Sequence, residues 1–183
     1  LSGNRFDFGV GISPWEEDFA VCGVPWEKRG KRLDEQIEIF RGLETGEFFS
    51  FKGELHDMPA NKMCPVSGIP TDILIGGHAE PALKRAARVG DGWMCAGADM
   101  QQLESYINRL GQLREEYGTS DRPFRIFTTG QNAFTREGIA ELEAIGVTDV
   151  IIAFRNVYEM EPDKPLEEKI GMLNWYAGEF INV

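Results

Sequence analysis

Histidine is almost absent from this chain: His56 and His78 are the only two in 183 residues. With no C-x-x-C or Cys/His ligand spacing beside them, a zinc site is not expected, and no metal ligand is assigned. Cysteine is nearly as sparse. Cys22, Cys64 and Cys95 are odd in number and widely spaced, which argues against a disulfide framework and suits reduced thiols in a cytoplasmic protein. Cations are outnumbered, 19 Lys and Arg against 30 Asp and Glu, for a net charge of -11. Without a basic stripe to neutralise phosphates, a nucleic acid is not an expected partner. No apolar run approaches the roughly 20 residues that cross a bilayer, and Leu1-Ser2-Gly3-Asn4-Arg5 has no signal-peptide character, so no membrane partner is expected either. What is present is an ordinary globular composition, 42% hydrophobic, in a chain long enough to bury a core.

The chain is organised around Asp72 to Trp93, DILIGGHAEPALKRAARVGDGW. Asp72-Ile73-Leu74-Ile75 is a short aliphatic run closed by Gly76-Gly77, the pattern of a buried parallel strand ending in a tight loop. His78-Ala79-Glu80-Pro81 opens a helix, with Pro81 near its first turn and Ala82, Leu83, Ala86 and Ala87 on one apolar stripe. Lys84 and Arg85 are expected on its solvated face. Gly90-Asp91-Gly92 breaks the helix and Trp93-Met94-Cys95 begins the next apolar run, so the stretch predicts a complete βαβ unit. Consecutive glycines between strand and helix let the backbone approach a ligand, and free amides at the helix start favour an anion. Gly76, Gly77, His78 and Ala79 are therefore candidates for holding a phosphate-bearing cofactor, although a plain tight turn explains the same residues equally well. His78 reads as an anion or backbone contact and not as a proton shuttle, because a helix N-terminus disfavours its charged form.

From the start, Phe6 to Ile12 reads as a first strand with glycines in its C-terminal half. Residues 13–31 form a polar and aromatic excursion with a helical turn near Glu16 to Ala20. An excursion at that end of a strand commonly carries ligand-binding residues, and Trp26 is expected to pack it down more than Trp15. Leu33, Ile37, Phe40 and Leu43 fall at helical spacing. A second insertion, 46–70, opens with a β-hairpin around a Lys52-Gly53 turn over Phe48 to His56 and continues as Pro-rich irregular chain. Asp99 and Gln102 form a capping box for a helix to Tyr117. Phe124 to Thr128 and Asp149 to Phe154 read as strands, with helices capped at Thr135 and begun at Pro165. Five βα units in one domain over 1–183 predict an α/β fold with a parallel sheet, either doubly wound or an incomplete (β/α)8 barrel of TIM type.

Four segments resemble the bacterial luciferase-like monooxygenase superfamily, the flavin- or deazaflavin-dependent (β/α)8 oxidoreductases. They are residues 1–5 with FDFGVG, GVPWEKRGKRLDE at 23–35, FFSFKGE at 48–54, and ILIGGHAEPALKRAARVGDGW at 73–93. The resemblance implies a barrel with about five of its eight βα units here, Phe6 beginning near the fourth strand. It implies that Gly76, Gly77, His78 and Ala79 hold the cofactor phosphate, that Gly11, Ile12 and Ser13 neighbour its ring, and that Trp93 lines the pocket or fills the barrel interior. Coenzyme F420 is the cofactor implied, with FMN as the alternative. The chemistry implied is hydride transfer to or from an unidentified small organic substrate. The family's groups at the ends of its early strands lie outside this sequence, so no catalytic residue is named. An apolar strand at Phe6 to Ile12 left unpaired would be an aggregation liability. The chain is therefore expected to be the C-terminal part of a longer enzyme. A non-catalytic flavin-binding short relative and an inactive fragment are the other readings. A homodimer is possible by resemblance alone.

Overall fold

Glycine-punctuated apolar runs alternate with amphipathic helices along this chain, and the computed structural model, which describes residues 3, 5–130, 132–153 and 162–181, arranges them as stacked βα units. In chain order β1 (Asp7–Val10) leads through α1 (Glu16–Val21) and α2 (Arg29–Leu43) to a hairpin of β2 (Phe49–Lys52) and β3 (Asp57–Asn61). Three βα units follow: β4 (Asp72–Gly76) with α3 (Glu80–Val89), β5 (Gly92–Cys95) with α4 (Met100–Tyr117), and β6 (Arg125–Thr129) with α5 (Arg136–Ala144). Last come β7 (Asp149–Ile151) and α6 (Leu166–Tyr176), which runs into a π-helical turn over Ala177–Ile181.

The main sheet has the order β1-β4-β5-β6-β7 with every pair parallel. A doubly wound sheet reverses its direction of growth at a switch point, whereas here each new strand joins on the same side. That order selects the barrel over the open sheet and makes this an arc of about five of eight units.

Alternation along the strands gives the arc two faces. The outer face carries Ile73, Ile75, Trp93 and Cys95, all fully buried against Leu83 and Ala86 of α3 and Leu103 and Leu110 of α4. Burying each large apolar side chain contributes about 1.5–3 kcal/mol, so this layer is the main stabilising element. By the strand register the concave inner face carries Asp7 and Gly9, Leu74 and Gly76, Met94, then Phe127 and Thr129. At the N-terminal end of that face Arg125 reaches across the arc, 2.7 Å from Asp7, 2.7 Å from Asp149 and 4.0 Å from Asp72. The hydrogen bond from Arg125 holds the Asp149 carboxyl below the usual carboxylate range despite partial burial.

The helix ends follow local chemistry. Asp99 accepts from the Gln102 amide at 2.8 Å while the Gln102 side chain accepts from the Asp99 amide at 3.2 Å, and Thr135 accepts from the Gly138 amide at 3.0 Å. Three expectations are corrected. The hairpin strands are 49–52 and 57–61, and 53–56 is the turn; Met58 to Asn61 is strand despite Pro59. Proline is tolerated because β3 pairs on one side only. Arg85 is 5% exposed, not solvated, because its guanidinium bonds Asp34 at 2.7 Å and the Gly30 carbonyl at 3.0 Å on α2. The strand expected to reach Phe154 is described only to Ile151, and Phe154 lies outside the described residues.

Glu35, 2% exposed on α2, ties the hairpin to the body. Its carboxylate accepts from the amides of Glu54 at 2.8 Å, Leu55 at 3.0 Å and His56 at 2.9 Å, and contacts His56 Nδ1 at 2.9 Å. Desolvation raises the pKa of this carboxyl, but the His56 hydrogen bond and the three amides together outweigh it and hold the group at about 2.

Candidate functional site

The C-terminal ends of β1 and β4 leave the sheet side by side, because Val10 is the register partner of Ile75. This brings two separately predicted segments together, Gly11 to Ser13 and Gly76 to Ala79. Their backbones pack closely: a Cβ on Gly76 would lie 3.6 Å from the Val10 carbonyl, and one on Gly11 would lie 4.0 Å from the Gly76 Cα. Gly77 has φ +113°, and a Cβ there would meet the Ala82 Cβ at 3.1 Å. Only glycine adopts such a backbone without strain, so the corner depends on that residue type.

Helix α3 begins without a side-chain cap at Ala79, and Pro81 stands in its first turn. Gly77 and Ala79 are exposed, with His78 half-buried. The first-turn acid Glu80 is neutralised by Arg109 of α4 at 2.6 Å, whose hydrogen bond is the main cause of its lowered pKa. Pro81 has no N–H and the Ala82 and Leu83 amides bond the Ala79 carbonyl, so the donors open to an anion at this helix start are the amides ahead of Pro81, beside an acid that is already paired.

Behind the corner sits a packed layer. The Trp93 indole, fully buried, donates from Nε1 to the Gly77 carbonyl at 2.8 Å. Trp93 therefore touches the corner from the helix layer. It neither fills the concave interior nor offers surface of its own, because it is the register partner of Ile75 on the outer face. The His78 imidazole turns into the same layer, stacking on Tyr106 with ring centres 5.3 Å apart and placing Nε2 at 3.5 Å from Cys95 Sγ. Burial pushes the Cys95 thiol up to about 11, so it stays protonated, and it shares a hydrogen bond with His78 Nε2. The ring of His78 is thus occupied, and what His78 presents at the corner is its backbone. Tyr106 and Cys95 were not singled out in the sequence, where a tyrosine mid-helix and a cysteine in an apolar run carry no local mark.

Ser13 begins the excursion after β1. Its hydroxyl donates to Asp18 and accepts from the Trp15 amide at 3.1 Å, so it folds the loop. Phe19 packs edge-on against Trp26 at 5.0 Å and Arg29 lies over the same indole at 3.6 Å, whereas Trp15 is 56% exposed. Between this loop and α2 is a cavity of about 260 Å³ whose walls include Gly11, Ile12, Ser13, Arg29 and Arg32. A larger apolar cavity of about 1000 Å³, with Phe8, Leu33, Phe40 and Met58 in its wall, flanks the outer edge of β1.

Strand order defines a barrel arc, and the corner lies at the C-terminal edge of its strands, the end at which (β/α)8 enzymes carry their active sites. The family model for luciferase-like monooxygenases matches residues 1–163, and the chain belongs to that family. An uncharacterized protein of Mycobacterium tuberculosis is 51% identical over 182 residues, 99% of this chain and 62% of that protein. The chain thus spans less than two thirds of that relative's length. The F420-dependent glucose-6-phosphate dehydrogenase of Amycolatopsis mediterranei is 30% identical over 113 residues, 60% of this chain and 33% of that protein. The FMNH(2)-dependent dimethylsulfone monooxygenase of Pseudomonas putida is 27% identical over 159 residues, 84% of this chain and 42% of that protein. Among solved structures, an F420-dependent secondary alcohol dehydrogenase in complex with an F420-acetone adduct superposes with a TM-score of 0.68 at 13% identity, covering 81% of this chain and 63% of that one. That similarity places the arc within a TIM-type barrel, of which part is present here.

Proposed function

We propose that this chain carries the cofactor end of an oxidoreductase of the luciferase-like class, which moves hydride between coenzyme F420, or FMN, and a small organic substrate. The observation that carries the reading is the Gly76-Gly77 corner, exposed at Gly77, at the start of α3, which has no side-chain cap, with Gly76 packed against Gly11 at the end of β1. Gly77, His78 and Ala79 would hold the phosphate through backbone amides, and Gly11 to Ser13 would border the ring. The bound cofactor supplies the hydride chemistry, and the chain supplies position and electrostatics. F420 is favoured over FMN by the likeness of residues 76–93 to the deazaflavin branch, and both kinds of cofactor occur in the names of relatives. Three free cysteines fit a cytoplasmic protein.

One observation favours a second reading, a flavin-binding chain without its own catalytic groups. Toward the C-terminal end of the concave face the inward strand positions among the described residues are Gly9, Gly76, Met94, Phe127, Thr129 and Ile151, none of them an acid or a base. Titration of the purified chain with F420 and with FMN, followed by turnover assays, separates the two. Binding with turnover supports the enzyme, binding without turnover supports the second reading, and no binding of either cofactor overturns both.

A further inference from the structure

We propose that Trp93 is a positioning residue for the cofactor's phosphate, aiming the His78 amide out of the corner; this rests on the reading of Gly76 to Ala79 as the phosphate cradle. Gly77 contributes the carbonyl and His78 the N–H of a single peptide unit. In a planar trans peptide those two groups point in opposite directions. The Trp93 indole N–H fixes the Gly77 carbonyl at 2.8 Å from the buried side, so the His78 N–H faces the open side. Gly77 at φ +113° is the residue type that lets the peptide lie this way.

A second contact holds the same unit. The His78 ring is clamped between Tyr106 and the Cys95 thiol, which prevents the corner from rolling about the 77–78 peptide. Trp93 itself cannot shift, because it is fully buried between sheet and helices and meets the edge of Tyr106 with ring centres 5.9 Å apart. The indole therefore acts on the anion through one peptide plane while touching no ligand.

The test compares ligands that differ only by the phosphate: FMN against riboflavin, and the deazariboflavin core of F420 with and without its 5'-phosphate. For at least one pair the wild-type chain is expected to bind the phosphate-bearing member about ten-fold or more tightly, the worth of one charge-assisted hydrogen bond. Trp93→Phe keeps the ring and drops the N–H. It is expected to bring that ratio close to one while leaving affinity for the phosphate-free member unchanged. An unaltered ratio in the variant overturns the role of Trp93, as does an equal loss for both members. A wild-type chain with no preference in either pair overturns the cradle reading itself. Should the variant fail to fold, inorganic phosphate titrated into the wild-type chain decides by amide NMR. The His78 N–H is expected to move among the largest shifts, and an unmoved His78 overturns the proposal.

Discussion

Single residues set the sharpest limits on this molecule. Gly77 combines φ +113° with an Ala82 Cβ only 3.1 Å from where its own Cβ would stand. Gly77→Val is expected to cost about 1–3 kcal/mol of backbone strain, lowering the melting temperature by several degrees. Cofactor affinity should be lost well before the fold is; normal binding by a folded Val variant would show that the corner is not the phosphate site. Glu35 gives a pH dependence. Its folded pKa of about 2 lies below the ordinary value of 4.5. A depressed carboxyl contributes stability that is full above about pH 4.5 and is lost as pH falls toward 2. Acid unfolding of wild type should therefore steepen across that window, whereas Glu35→Gln should begin less stable at neutral pH and show a flatter acid limb in pH-dependent melts.

At the scale of elements, α4 tests how much a local signal is worth. Asp99→Ala removes one half of the Asp99/Gln102 box and should destabilise the chain by about 1 kcal/mol in urea unfolding, with little change in the slope. This helix was legible in the sequence because both partners of the cap lie within one turn. The β4 to α3 corner was legible for a related reason, since Gly76-Gly77 and Pro81 are local punctuation. Elements that depend on distant partners were not. The second hairpin strand begins after a turn whose amides are gathered by Glu35, far upstream, and Pro59 masks it further. Arg85 looks solvated on its own helix and is buried only because α2 supplies Asp34 and the Gly30 carbonyl. Trp93 sits in a run that is apolar throughout, so alternation could not tell which face it takes. Strand order was likewise unreadable, since each βα unit looks the same whichever neighbour it pairs with.

For the whole molecule the informative variant is Arg125→Met. Arg125 bonds both Asp7 and Asp149 but is partly exposed, so each contact is screened. Losing both should cost about 1–2 kcal/mol at low salt and less in high salt. The deficit should also shrink once the pH is low enough to protonate Asp149, whose pKa the Arg125 hydrogen bond lowers, which calorimetry across pH and ionic strength would measure. The same cluster has a consequence for how a ligand meets the arc. Three carboxylates share one guanidinium at the N-terminal rim, while the C-terminal rim holds the Gly77 corner and the start of α3, which has no side-chain cap. The cluster thus leaves net negative charge at the N-terminal end of the trough, while the positive end of the α3 dipole lies at the other. For the phosphate site proposed at Gly77, the carboxylate excess at the opposite rim disfavours the reversed orientation of a phosphate-bearing molecule.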